Sequence, residues 1–144
     1  VKPGDHARLG VPAVSTEIDL VCARPGERVI WLIEAKDPAS VYGIAETARQ
    51  LRTFFRDAES KGRLKPCYAT QLARKEAELR PHLGAVAAKL EMEGALRGGT
   101  YELRTVFVTR NLVPAGFVDE RFDVLSMDTF LAAIDETSGG DEAL

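Results

Sequence analysis

Glu17-Ile18-Asp19-Leu20-Val21-Cys22-Ala23 and Arg28-Val29-Ile30-Trp31-Leu32-Ile33-Glu34-Ala35-Lys36 are two apolar runs joined by Arg24-Pro25-Gly26-Glu27. Consecutive Pro and Gly suit a tight turn, so Thr16–Ala23 and Arg28–Lys36 are expected to form an antiparallel hairpin. Residues two apart on a strand share a face. Glu34 and Lys36 should therefore project together, as should Glu17 and Asp19. The hairpin can set Asp19 beside Glu34 although they are fifteen positions apart in the chain. Val29 to Ile33 is apolar throughout, as in a central strand covered on both faces, and Asp37-Pro38 stops it.

Working outward, Val1 to Gly10 reads as turns or an edge hairpin. Gly43 to Ser60 is expected to be a helix with one apolar stripe at Ile44, Ala48, Leu51, Phe55 and Ala58, ended by Gly62. Residues 68–93 read as helical with a break at Pro81, closed by Gly94 and Gly98-Gly99. Tyr101–Thr109 is a third strand with Val106-Phe107-Val108 at its buried centre, and Phe122–Ser126 a short fourth. Met127–Asp135 is a closing helix with Ser126 or Asp128 as N-cap. A helical connection between the second and third strands permits parallel pairing. The expected class is α/β, a mixed central sheet flanked by helices.

The chain has 144 residues, 45% hydrophobic and 28% charged, which fits one soluble globular domain. That domain is expected over residues 1–136, followed by an acidic flexible tail over 137–144; Asp135 to Leu144 holds four acids and no base. The sequence begins at Val1 rather than Met, and a piece of a longer protein is expected. No apolar run reaches membrane-span length, and Cys22 and Cys67 lack zinc or redox spacing, which suggests a reducing, cytoplasmic setting. Cys22 is expected as a buried thiol. The net charge of -3 argues against binding nucleic acid by bulk electrostatics but allows a local basic groove. Arg49, Arg52, Arg56, Lys61, Arg63 and Lys65 are either a solvated helix face or a phosphate-tracking edge. Arg110-Asn111 is either a loop or a further phosphate contact. Asp37 is expected to cap a turn or helix, and His6 and His82 to lie at the surface.

Charges at the end of an apolar strand are costly to bury unless paired or bound to a cation. Two carboxylates, Asp19 and Glu34, are the ligand type a hard divalent cation takes, and Lys36 adds a positive donor for a phosphate. Glu17 is either a further ligand or a solvated edge residue.

Asp19, a spacer and Glu34-Ala35-Lys36 resemble the PD-(D/E)XK nuclease superfamily, the restriction-endonuclease-like fold. The resemblance is good over residues 14–60 and looser beyond. Gln50 with Phe54 four residues on is similar to the Gln-x-x-x-Tyr motif of the RecB-like branch, with Phe in place of Tyr. The resemblance implies a DNA endo- or exonuclease that hydrolyses phosphodiesters with metal-activated water. Asp19 and Glu34 would hold Mg²⁺, with Mn²⁺ able to substitute; Lys36 would be the catalytic lysine, and Gln50 would assist orientation. It implies DNA as partner, other domains of a longer chain, and room for a homodimer. Two alternatives stand beside it. One is a catalytically inactive module of the same fold serving binding or assembly in a larger protein; the other is an unrelated α/β interaction domain whose strand charges are ion pairs.

Overall fold

The computed structural model describes residues 1–23, 28–92 and 100–136. The expected Pro25-Gly26 turn, Gly94, Gly98-Gly99 and the acidic tail lie outside the described residues.

The chain is a mixed α/β structure. Strands β1 (Leu20–Ala23), β2 (Val29–Lys36), β5 (Glu102–Thr109) and β6 (Asp123–Ser126) form a four-stranded sheet in the order β1-β2-β5-β6. β1 runs antiparallel to β2, with Leu20 opposite Ile33 and Ala23 opposite Ile30. β2, β5 and β6 are parallel, with Glu34 opposite Phe107 and Phe107 opposite Val124. The parallel pairing follows from the long helical crossover between β2 and β5. It comprises α1 (Ile44–Phe55), a hairpin of β3 (Ala58–Ser60) and β4 (Arg63–Lys65), α2 (Tyr68–Leu79) and α3 (Leu83–Lys89). A 3-10 turn at Arg80–His82, with Pro81 inside it, separates α2 from α3. α4 (Met127–Glu136) closes the fold, capped by the Ser126 hydroxyl, which accepts the Thr129 N–H at 3.2 Å.

β2 is covered on both faces, as its unbroken apolar run requires. Ile30 and Leu32 join the core under the crossover with Phe54, Leu72, Leu79, Val86 and Phe107. Trp31 and Ile33 face the other way and meet Val106, Val108 and Phe130 of α4. Phe54 is the hub of the larger core. Its ring makes edge contacts with Tyr68 at 5.1 Å and Phe107 at 5.4 Å between centroids, joining α1, α2 and β5. The N-terminal segment belongs to this core rather than to a peripheral turn. Leu9, Val11, Val14 and Ile18 are buried, and the Ile18 N–H donates to Val1 O at 2.8 Å. Gly10 has φ +80°, and a Cβ there would come within 2.8 Å of Ala85 O, so this segment approaches α3 as only glycine permits.

Four local expectations are corrected. The first strand begins at Leu20, not Thr16. α1 ends at Phe55 instead of Ser60, and Ala58 starts β3. Gly62 does not terminate a helix: with Lys61 it forms the two-residue turn of the β3–β4 hairpin, at φ 71° and 52°. Positive φ at both positions is what a type I′ hairpin turn needs. The apolar stripe expected on α1 holds only in part: Leu51 and Phe55 pack against the core, but Ile44 is 91% exposed, and the buried positions are Gln50 and Phe54.

Replacing Phe54 by Ala removes the shared ring of three packed elements. A loss of about 3–5 kcal/mol in unfolding free energy is expected from urea denaturation. A loss below about 1 kcal/mol would contradict the hub role.

Candidate functional site

The pleat sends Ile30, Leu32, Glu34 and Lys36 to the face covered by the crossover helices. Antiparallel register continues one step past Leu20↔Ile33 and sets Asp19 opposite Glu34. The Asp19 carboxylate accepts the Ala35 N–H at 2.9 Å, the N–H of the residue between Glu34 and Lys36. Lys36 Nζ donates to Glu34 Oε1 at 2.8 Å. Asp19, Glu34 and Lys36 therefore converge on one end of the sheet.

The fourth charge of the cluster is Lys75 of α2, whose Nζ donates to Glu34 Oε2 at 2.5 Å. Both partners are buried, with side chains 6% and 7% exposed, against 22% for Lys36. Each Glu34 oxygen thus faces its own ammonium, and the charges of Asp19, Glu34, Lys36 and Lys75 cancel. Asp19 and Lys36 form the open side of the cluster; Glu34 and Lys75 form its floor. Lys75 had a signal in the sequence. Leu72, Lys75, Glu76 and Leu79 fall at i, i+3, i+4 and i+7 and are all buried, so two charges interrupt the apolar stripe of α2. Glu76 is satisfied by Arg80 at 2.5 Å and Arg121 at 3.6 Å.

Lys36 Nζ also sits over the Tyr68 ring, 4.6 Å from its centroid. Tyr68 is held edge-on by Phe54, so the core fixes the surface against which the lysine rests.

Gln50 is buried but faces a neighbouring cavity of about 180 Å³ lined by Asp37, Ser40, Thr47 and Asn111. Its Nε2 lies 3.4 Å from Ala39 O, and its Oε1 is buried without a hydrogen-bond partner among the described residues. Phe54, in the place of the motif tyrosine, is fully buried core. Glu17 is exposed and outside the cluster. Asp37, expected as a cap, pairs with Arg110 at 3.3 Å across the ends of β2 and β5. His6 and His82 are half-buried in 3-10 turns. Cys22 is half-buried rather than buried, and desolvation pushes its thiol pKa up. Cys67 caps α2, its Sγ accepting the Thr70 N–H at 3.4 Å.

Asp57 sits where α1 gives way to the hairpin. Its carboxylate accepts the Cys67 N–H at 2.8 Å. That bond, helped by the Thr70 and Cys67 side chains, holds Asp57 below its ordinary value of 3.8.

Removing Lys75 while keeping Glu34 leaves the buried carboxylate with Lys36 alone and Oε2 uncompensated. Lys75→Met is expected to cost about 3–5 kcal/mol in urea denaturation. Glu34→Gln combined with Lys75→Met should recover much of that loss, and strictly additive effects would show that the pair is not coupled. Asp57 gives a separate signature in acid. A carboxyl with a depressed folded pKa contributes stability above its unfolded pKa and loses it as pH falls through the folded pKa. Asp57→Asn should flatten the dependence of Tm on pH below about pH 4. An unchanged acid limb would refute the assignment.

Comparison of the chain with protein-family models, with curated proteins and with solved structures returned no match.

Proposed function

We propose that this chain is a metal-dependent nuclease domain of the PD-(D/E)XK type, acting on DNA. One observation carries the reading: Asp19 accepts the N–H of Ala35, the residue that separates Glu34 from Lys36, so its carboxylate is fastened to the backbone between the other two residues of the motif.

The donor set fits a hard cation in kind. Asp19 accepts the Ala35 N–H through Oδ2, and a carboxylate has acceptor capacity for further partners. Glu34 can offer an oxygen once an ammonium moves aside, and the more exposed of its two lysines is Lys36. Mg²⁺ held by Asp19 and Glu34, or Mn²⁺ in its place, would offset phosphate charge and make water more acidic. Lys36 has three N–H donors. One is directed to Glu34 and the ammonium rests on Tyr68, which leaves donor capacity for a phosphate oxygen whose charge grows in the transition state. Gln50 would assist orientation, its Oε1 being an acceptor without a partner among the described residues.

The same reading carries DNA as partner, further domains of a longer chain, and pairing into a homodimer for double-strand cuts. Among the described residues no helix is long and apolar enough to cross a membrane. The free cysteines fit a reducing compartment, and a cytoplasmic setting is part of the proposal.

A specific observation favours a second reading. Both Glu34 oxygens are already neutralised by lysines, as expected of an inactive module in which the motif has become a structural tie.

Cleavage of linear, circular and single-stranded DNA in Mg²⁺, Mn²⁺ or EDTA separates the two. Metal-dependent cutting that falls at least about 10²-fold in Lys36→Ala is expected. Activity that survives EDTA, or is equal in the variant, would sink the mechanism; no cutting on any substrate would favour the inactive module. Calorimetric titration with Mn²⁺ should show weaker binding to Asp19→Asn, and an unchanged affinity removes Asp19 from the site.

A further inference from the structure

A cavity of about 320 Å³ lies between α1, the β3–β4 hairpin and the start of α2. Its size is at the small end of the ~300–1,000 Å³ typical of ligand sites. Arg49 and Arg52 of α1 and Arg56 just past its end line one side, Lys65 of β4 another, and Tyr68 a third. Positions 49 and 52 are i and i+3, so the two arginines of α1 share one helical face. Of the carboxylates nearby, Glu120 is paired with Arg56 at 2.7 Å, while Asp57, which lines the cavity, accepts the Cys67 N–H and keeps its negative charge. Arg49, Arg52 and Lys65 form no ion pair among the described residues, so the lining sets these three cations against one carboxylate. In a chain of net charge -3, that local excess of positive charge is an exception.

Tyr68 links this cavity to the candidate site. It lines the cavity and bears the Lys36 ammonium 4.6 Å from its ring centroid. Along α1, Arg49 to Arg52 rises about 4.5 Å at 1.5 Å per residue. Phosphates of one strand recur every ~3.4 Å along a duplex axis, so the two arginines match the spacing of adjacent phosphates.

We infer that the groove formed by Arg49, Arg52 and Lys65 binds the phosphodiester backbone of a DNA strand and delivers the neighbouring phosphate to Lys36. The inference deepens the nuclease reading and rests on it. The groove reads charge and not base identity, because guanidinium and ammonium contacts to phosphate carry no sequence information. The basic stretch is thereby divided: Arg49, Arg52 and Lys65 contact phosphate, Arg56 is fastened to Glu120, and Lys61 and Arg63 stand at the hairpin turn outside the groove lining.

The test is binding without hydrolysis. Fluorescence anisotropy of a labelled single-stranded oligodeoxynucleotide, in EDTA over a salt series, reports affinity and its salt slope. Arg49→Ala with Arg52→Ala is expected to weaken binding at least about tenfold and to reduce the slope by about one per arginine. Arg49→Lys with Arg52→Lys, which keeps the charge, should retain most of the affinity and controls for loss of fold. Arg8→Ala, a charge deletion outside the groove, should bind as the unsubstituted chain does. The groove is refuted if the double alanine variant keeps its affinity and slope, if Arg8→Ala loses as much, or if the chain does not bind DNA. Groove-dependent binding without metal-dependent cutting would leave the groove standing and remove the hydrolase. Cutting in which the double alanine variant matches the unsubstituted chain in binding would do the reverse.

Discussion

The Glu34 carboxylate, buried at the end of the central strand between two ammonium groups, is the constraint on which the arrangement turns. A carboxylate this far from water is tolerable only if its oxygens are compensated. Lys36 comes from the same strand two residues on; Lys75 must come from the crossover. α2 is consequently held against β2 by charge as well as by apolar packing. Tyr68 and Lys75 are seven residues apart on that helix, on one face. The first supports Lys36 and the second grips Glu34, so one helical face contacts both charged side chains at the end of β2. The pairing is also selective. Turning α2 by one residue would replace Lys75 at Glu34 by Arg74 or Glu76, and the second would set two carboxylates together.

The same balance bears on metal binding under the nuclease reading. Asp19, Glu34, Lys36 and Lys75 sum to zero, so a dication enters a site with no net attraction for it. Its affinity then depends on anions that arrive with the substrate, and phosphate supplies them. Mg²⁺ keeps several waters and often binds through one or two carboxylates plus substrate phosphate, which suits such a site. The lysines need not be obstacles. Under that reading, an ammonium released from Glu34 would be a donor available to a phosphate oxygen.

Much of the sheet was legible in the sequence because strand alternation leaves little freedom. Once Ile30 and Leu32 face one core and Trp31 and Ile33 the other, Glu34 and Lys36 must follow the first pair, and register puts Asp19 opposite Glu34. Ser126 as the cap of α4 and Pro81 as the break after α2 were legible for equally local reasons. α1 was not. A period of 3.6 admits two adjacent stripes there, one through Ile44, Ala48, Leu51 and Phe55 and one through Thr47, Gln50 and Phe54. Composition favours the first; the rings of Phe107 and Tyr68 centre the helix on Phe54, so Leu51 and Phe55 pack at the flank and Ile44 is left exposed. The β3–β4 hairpin was hidden because Ala58 continued a helical spacing, and the positive φ of Lys61 and Gly62 is a property of the turn. Lys75 escaped because a lysine among alanines and glutamates is ordinary in a helix. Only its place between Leu72 and Leu79 marks it.

The direction of β1 explains why the cluster can exist. In an open α/β sheet the crevice for ligands lies beyond the carboxyl ends of the parallel strands. Glu34 and Lys36 lie near that end of β2, Thr109 ends β5 and Ser126 ends β6. A fourth parallel strand would bring its carboxyl end to the same edge, reached only after another crossover. β1 runs the other way, so the residue preceding it, Asp19, arrives beside Glu34 by a short hairpin. Because Asp19 precedes the strand, its carboxylate is free to turn onto the Ala35 N–H instead of being confined by the pleat. The mixed sheet thereby joins an exposed acid from a strand start to a buried acid from a strand end, both beside Lys36.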